Sequence, residues 1–222
     1  MLLSHEKKFI YMKTIKTAGT SVEVALEPYC KPPAAQIAHD TDEHVSDYGI
    51  VGKRGTGQGE AYYNHMPAAQ VRQKIGAEIW ERYTKLCVIR NPFDKVVSYF
   101  WMQCAPTLRK EIAEREFSFA REVFRHWMLV KPALPNDRNV YCLAGEPALD
   151  RYLRYETLEQ DYAVLCRDLD LEQETLPRLK SGPRLFKEHG YRDYYTRDVA
   201  GVVLRSYDRE FGWFGYAEDS WR

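Results

Sequence analysis

Apolar and polar positions alternate along this chain in blocks rather than at one period. Phe9-Ile10-Tyr11-Met12 is a short apolar run, followed by the polar stretch Lys13 to Ser21, after which Val22, Ala25 and Leu26 recur at helical spacing. The same order returns later. Lys85-Leu86-Cys87-Val88-Ile89 runs into Arg90-Asn91-Pro92-Phe93-Asp94, and Val96, Val97, Phe100 and Trp101 then repeat as on one helix face. Both segments read as a buried strand, a turn and a helix start. Ile112, Phe119, Val123, Phe124, Trp127 and Val130 predict helices between Pro106 and Val130. Val199, Val203, Tyr207 and Phe211 make a further helical stripe, read as core. From Pro28 to about Asn64 no period holds, and Pro32-Pro33 with Gly49, Gly52, Gly55, Gly57 and Gly59 punctuate the stretch. Long irregular segments in compact domains are usually functional, so about 28–64 is expected to shape a pocket for a second substrate.

The turn at Lys13-Thr14-Ile15-Lys16-Thr17-Ala18-Gly19-Thr20-Ser21 has the parts of an anion cradle. Small residues let the backbone approach an anion, helical N–H groups point at it, and the helix dipole favours negative charge. Lys16 adds a point charge with three donors. A Walker A loop places its lysine after the last glycine, whereas Lys16 precedes Gly19 and no glycine stands upstream in the loop. The order argues against an ordinary ATP or GTP loop. The plainer reading is a capping box of Thr20 and Glu23 with a solvated Lys16.

In the second segment Asn91 suits an N-cap, Pro92 the first helical position and Asp94 the first-turn dipole. Arg90 then falls at the carboxyl end of a strand, the edge where open α/β sheets bind ligands. A structural ion pair for Arg90 and a filler role for Ser98 are the alternatives.

With these residues in place, the chain resembles a known family. Ile15 to Ser21 is similar to the 5′-phosphosulfate loop of sulfotransferases, and Val88 to Phe100 to their 3′-phosphate motif. The branch resembled comprises carbohydrate sulfotransferases and bacterial relatives. Tyr152 to Tyr162 is similar to the late strand-to-helix segment of that family. Tyr194-Tyr195 through Asp208 to Phe214-Gly215-Tyr216 is similar to its terminal helix and aromatic end. The resemblance implies 3′-phosphoadenosine 5′-phosphosulfate (PAPS) as donor, adenosine 3′,5′-bisphosphate as product, and no metal. It implies that Lys16 and the backbone of Thr17, Ala18, Gly19, Thr20 and Ser21 hold the 5′-phosphosulfate. Arg90 and Ser98 would grip the 3′-phosphate, with Arg184 and Lys180 as further basic candidates beside Lys187 and Arg192. The catalytic pair would be Lys16 on the leaving phosphate oxygen and His65 as base. His65 precedes Met66-Pro67, where Pro67 can open a helix through Val71, Ile75 and Ile79. His39 and His44 are the other candidates for the base. The implied acceptor is a hydroxylated small molecule or a glycan.

The remaining features change the picture little. His39-Asp40-Thr41-Asp42-Glu43-His44 has no recognised metal spacing and reads as a solvated loop. Glu156 reads as a structural partner for Arg154 or Arg151, and Tyr62 and Tyr63 could stack on an acceptor. The 222 residues suit one domain, 1–222, and their 32 basic and 32 acidic side chains cancel, so no global field favours nucleic acid. The five cysteines include no C-x-x-C pair, which fits a reducing cytoplasm. No apolar run approaches the ~20 residues of a membrane span, and the charged start after Met1-Leu2-Leu3 is unlike a signal peptide. The expected architecture is a single three-layer, P-loop-like α/β domain with a short, mostly parallel sheet flanked by helices. A metal-dependent nucleotide or small-molecule kinase with an atypical loop is the competing enzyme reading, and a non-catalytic nucleotide-binding module a third. The oligomeric state is not legible.

Overall fold

A computed structural model describes residues 1–35, 43–54, 61–130, 133–172, 175–177, 179 and 184–222. Strands β1 (Leu2–Ser4) and β2 (Phe9–Tyr11) lead into helix α1 (Gly19–Leu26). Strands β3 (His44–Ser46) and β4 (Gly49–Val51), helices α2 (Ala68–Ile75) and α3 (Ala77–Arg82) and strand β5 (Thr84–Ile89) follow. Next come α4 (Pro92–Gln103), α5 (Pro106–Ala113), α6 (Phe117–Val130) and α7 (Arg138–Tyr141). A small hairpin of β6 (Cys142–Leu143) and β7 (Glu146–Pro147) precedes β8 (Arg151–Arg154), α8 (Leu158–Asp168), α9 (Arg197–Ser206) and α10 (Asp208–Phe214). The chain divides into two compact units, one of Met1–Ile89 with Asp137–Lys180 and one of Arg90–Asn136 with Ser181–Arg222.

The first unit holds a six-stranded open sheet of order β3-β4-β1-β2-β5-β8 flanked by helices. The pairs β2–β5 and β5–β8 are parallel, with Tyr11 opposite Leu86 and Val88 opposite Leu153. Strands β2 and β5 carry the near-continuous apolar runs that a sheet covered on both faces requires, whereas the edge strand β8 buries only Leu153. The sheet is less parallel than the sequence led us to expect, because β1–β2, β1–β4 and β3–β4 are antiparallel. Short connections impose this for β1–β2 and β3–β4, since closely spaced strands can pair antiparallel while parallel strands need a long crossover. Asp47-Tyr48 joins β3 to β4, and His5 to Lys8 joins β1 to β2. Two strands therefore lie inside the stretch expected to be irregular. Gly49 allows that extension: a Cβ there would stand 1.9 Å from the Leu3 carbonyl oxygen. Val22 and Leu26 of α1, Leu165 and Cys166 of α8, and Phe9, Tyr11, Leu86 and Val88 of the sheet share one core. Each fully buried Leu, Val or Phe contributes about 1.5–3 kcal/mol.

The second unit is helical. Phe93, Val96, Val97, Phe100 and Trp101 of α4 pack with Phe124 and Met128 of α6 and Val199 and Val203 of α9. Tyr207 and Phe211 join this core, as the stripe in the sequence suggests, whereas Val130 ends α6 at 57% exposure. Its buried hydroxyls are satisfied: Tyr195 donates to the Phe93 carbonyl at 2.8 Å, and Trp101 Nε1 donates to Tyr194 Oη at 3.2 Å. Asn91 caps α4 by accepting from Phe93 N–H at 3.0 Å, with Pro92 in the first turn.

Candidate functional site

The Lys16 turn is held at consecutive residues by distant parts of the chain. The Lys13 carbonyl accepts from His65 Nδ1–H at 3.0 Å. Thr14 Oγ1 donates to the Val88 carbonyl of β5 and meets Thr17 Oγ1 at 2.9 Å. Ile15 N–H donates to the Asp137 carboxylate at 3.1 Å. Beyond these anchors the backbone turns left-handed, at φ 59° for both Lys16 and Ala18, and α1 begins. His65 and Asp137 also have positive φ, 62° and 60°. Non-glycine residues in this region cost free energy and concentrate at functional sites. Here each one belongs to the turn or bonds to it.

The start of α1 carries no side-chain cap, so the expected capping box is absent. Ser21 N–H already donates to the Ala18 carbonyl at 2.9 Å, so the N–H groups of Gly19 and Thr20 are the ones the helix geometry leaves open to an anion. Thr20 and Ser21 are half-buried with no side-chain partner among the described residues, while the Thr17 hydroxyl is buried and turned inward to Thr14. Glu23 is fully buried and accepts from Lys13 Nζ at 2.6 Å, with Arg54 Nε at 3.3 Å from the same oxygen. Arg54 also pairs with Glu27, which pairs with Lys31 at 2.8 Å. Burial alone would raise the Glu23 carboxyl, but the charge and hydrogen bond of Lys13, the Met1 amine and Arg54 outweigh it and hold it below its ordinary range. Lys13 is thereby committed to the interior. Gly19 is enclosed by the same groups: a Cβ would lie 3.0 Å from Lys13 Cγ and 3.1 Å from Tyr11 Oη, which donates to the Gly19 carbonyl.

His65 precedes α2, which Pro67 opens as expected, although Gly76 ends that helix before Ile79. A carbonyl can only accept, so the proton sits on His65 Nδ1 and the lone pair on Nε2. Burial lowers its pKa from the ordinary 6.5 and the Lys13 charge adds to the lowering; the Asp137 carboxylate and the hydrogen bond to the Lys13 carbonyl oppose it. The imidazole is neutral at neutral pH, the state a base needs. Other histidines are occupied differently. His5 Nδ1 meets Tyr83 Oη at 2.9 Å, and His189 stacks on Phe117 at 3.8 Å. His44 lies in β3, and His39 is outside the described residues.

In the helical unit, Arg90 is the residue after Ile89, the last of β5. Its Nε and Nη2 donate to Asp94 Oδ2 at 2.8 and 2.7 Å, and its side chain is 8% exposed. Arg184 Nη1 approaches Asp94 Oδ1 at 3.8 Å, and Nη2 donates to the His189 carbonyl at 2.6 Å. Two guanidinium groups thus flank one carboxylate near the start of α4. Ser98 follows Asp94 by four residues on the same helix face and has no partner among the described residues. Lys180 is outside the described residues, and Lys187 and Arg192 are exposed. Arg151, expected near Glu156, pairs with Asp168 at 2.9 Å. Tyr62 N–H donates to Glu43 at 2.6 Å and Tyr63 Oη to Gln70 at 2.8 Å.

Asp137 is the residue that sequence reading missed. It carries no motif, and the turn-forming run Pro135-Asn136-Asp137 is its only local sign. Among the described residues, no group of His, Cys, Asp or Glu is arranged to hold a metal ion, and no helix is long and apolar enough to cross a membrane. No family model and no curated protein matches this sequence.

Proposed function

We propose that this chain is a PAPS-dependent sulfotransferase with a P-loop-like architecture, acting on a hydroxyl of a carbohydrate or other small molecule. The observation that carries this reading is the joint anchoring of turn and base. The Lys13 carbonyl that begins the Lys16 turn also fixes His65 with Nε2 as its basic nitrogen.

The residues present fit the donor. Lys16, the uncapped start of α1 and the hydroxyls of Thr20 and Ser21 suit a 5′-phosphosulfate. Arg90, Arg184 and the Ser98 hydroxyl suit a 3′-phosphate, since guanidinium forks match phosphate oxygens. PAPS supplies an activated sulfuryl group. His65 Nε2 takes the proton of the acceptor hydroxyl as its oxygen forms a bond to sulfur. The bond from sulfur to the phosphate oxygen breaks, and Lys16 neutralises the charge left there. Such transfer is mostly positioning and electrostatics. A cytoplasmic location belongs to this proposal; Cys30, Cys104 and Cys166 are free thiols.

The test is calorimetry with adenosine 3′,5′-bisphosphate against ATP with magnesium, followed by turnover of isotopically labelled PAPS with a panel of hydroxylated acceptors. We expect the bisphosphate to bind and Lys16→Ala to lose about 100- to 1,000-fold in kcat with the fold intact. Tight ATP binding with magnesium and none of the bisphosphate would replace this reading with a kinase.

A further inference from the structure

We propose that Asp137 is a positioning residue for sulfuryl transfer, its carboxylate anchoring the Lys16 turn through Ile15 N–H, two residues from the Lys13 carbonyl that holds His65. The inference rests on the sulfotransferase reading for its catalytic meaning, but the coupling is a property of the fold.

Asp137 stands at the N-cap of α7, where aspartate is common because its side chain accepts from the helix's own first N–H groups. Asp137 makes no such cap. It accepts instead from Ile15, 122 positions away in sequence. It does so at φ 60° and 6% exposure, a strained and desolvated setting for a carboxylate. An aspartate that gives up its local cap for a distant backbone N–H is held there by the turn. Since Ile15 precedes Lys16, the bond fixes the peptide from which the left-handed step at Lys16 departs.

The second role concerns the base. The titratable groups acting on His65 are Asp137, Lys13 and the Met1 amine, the last itself pushed down by burial to about 5. Burial and Lys13 disfavour a proton on the imidazole, while Asp137 and the hydrogen bond to the Lys13 carbonyl favour one. Nδ1 is committed to the Lys13 carbonyl, so Asp137 acts on the ring through space rather than as the hydrogen-bonded partner of an Asp–His pair. One carboxylate thus steadies the turn that carries the cation and keeps the adjacent imidazole basic enough to accept a proton.

Asp137→Asn and Asp137→Ala separate these roles. Asparagine tolerates the left-handed backbone and keeps an oxygen for Ile15 N–H, but carries no charge. We expect the His65 ring, followed by NMR without donor, to titrate at lower pH in D137N, with Ile15 amide exchange as in the wild type. The acid limb of kcat/KM should move down with it. D137A should show the same shift, together with about tenfold faster Ile15 exchange and about tenfold weaker adenosine 3′,5′-bisphosphate binding, the scale of one lost hydrogen bond. If D137A fails to fold, D137N decides. Ile15 exchange and bisphosphate binding in D137A as in the wild type would overturn the proposal; where D137A does not fold, an unchanged His65 titration in D137N would do so. A shifted titration in a protein that turns over no PAPS would sink the sulfotransferase reading and leave the coupling standing.

Discussion

At the residue scale, the site depends on which proton and which charge sit where. Burial and the Lys13 charge keep His65 below its ordinary value, so its lone pair is available across the neutral range. If His65 is the base, kcat/KM should rise with pH through this lowered pKa and then level near neutrality. A rise centred at or above 6.5 would contradict the role assigned to burial. His65→Gln should lose about 100- to 10,000-fold in kcat and flatten the acid limb, read from initial rates across pH. Arg90 illustrates how one residue can hold two readings. The sequence allowed either a phosphate ligand or an internal ion pair, and its Nε and Nη2 contacts with Asp94 realise the pair. Arg184 approaches the other oxygen of the same carboxylate, and the phosphate reading stays within the proposal.

At the element scale, α1 and α4 begin in different ways. Helix α4 is capped by the Asn91 side chain, whereas α1 starts from a left-handed Ala18 with no side-chain cap. Asn91→Ala should cost about 1 kcal/mol by urea denaturation, the usual scale for an N-cap. Gly19→Ala tests the other start. The added methyl meets Lys13 Cγ and Tyr11 Oη, and neither can yield easily: Lys13 is tied to Glu23 and Tyr11 to the Gly19 carbonyl. Overpacking of this kind costs about 1–3 kcal/mol. We expect that loss with a displaced Lys13 resonance, and a G19A protein as stable as the wild type would show that the turn relaxes freely. Alanine is otherwise a better helix former than glycine, so the direction of the change decides between packing and propensity.

At the scale of the whole molecule, buried charge sets the response to acid. His65 has a folded pKa below its unfolded value, so the unfolded chain takes up the proton first. Stability therefore declines as pH falls below about 6.5, until the folded value is reached. Glu23 adds a second step. Its folded pKa lies below the ordinary 4.5, so its contribution is complete above that value and is lost as pH falls through the folded pKa. Urea denaturation across this range should show both declines. His65→Gln should reduce the upper one, in which the Met1 amine, pushed down by burial from 8.0 to about 5, also takes part. Glu23→Ala should cost about 3–5 kcal/mol near neutrality, because it leaves Lys13 and Arg54 without their shared buried carboxylate.

What the sequence determined by itself is local. The apolar runs marked β2 and β5, the spacing of Val199, Val203, Tyr207 and Phe211 marked a core stripe, and Asn91-Pro92 marked the start of α4. These follow from burial periodicity and capping chemistry, which act over a few residues. Strands of three residues are too short to show a period; β2 stood out only because its apolar run continues into Met12 before the Lys16 turn, whereas β1, β3 and β4, and with them the antiparallel half of the sheet, became visible only through their pairing. The site divides in the same way. Lys16 and His65 stood out from their neighbours, but the His65 tautomer and the recruitment of Asp137 depend on hydrogen bonds spanning 52 and 122 positions. Only a folded chain brings such residues within bonding distance, and no local pattern encodes it.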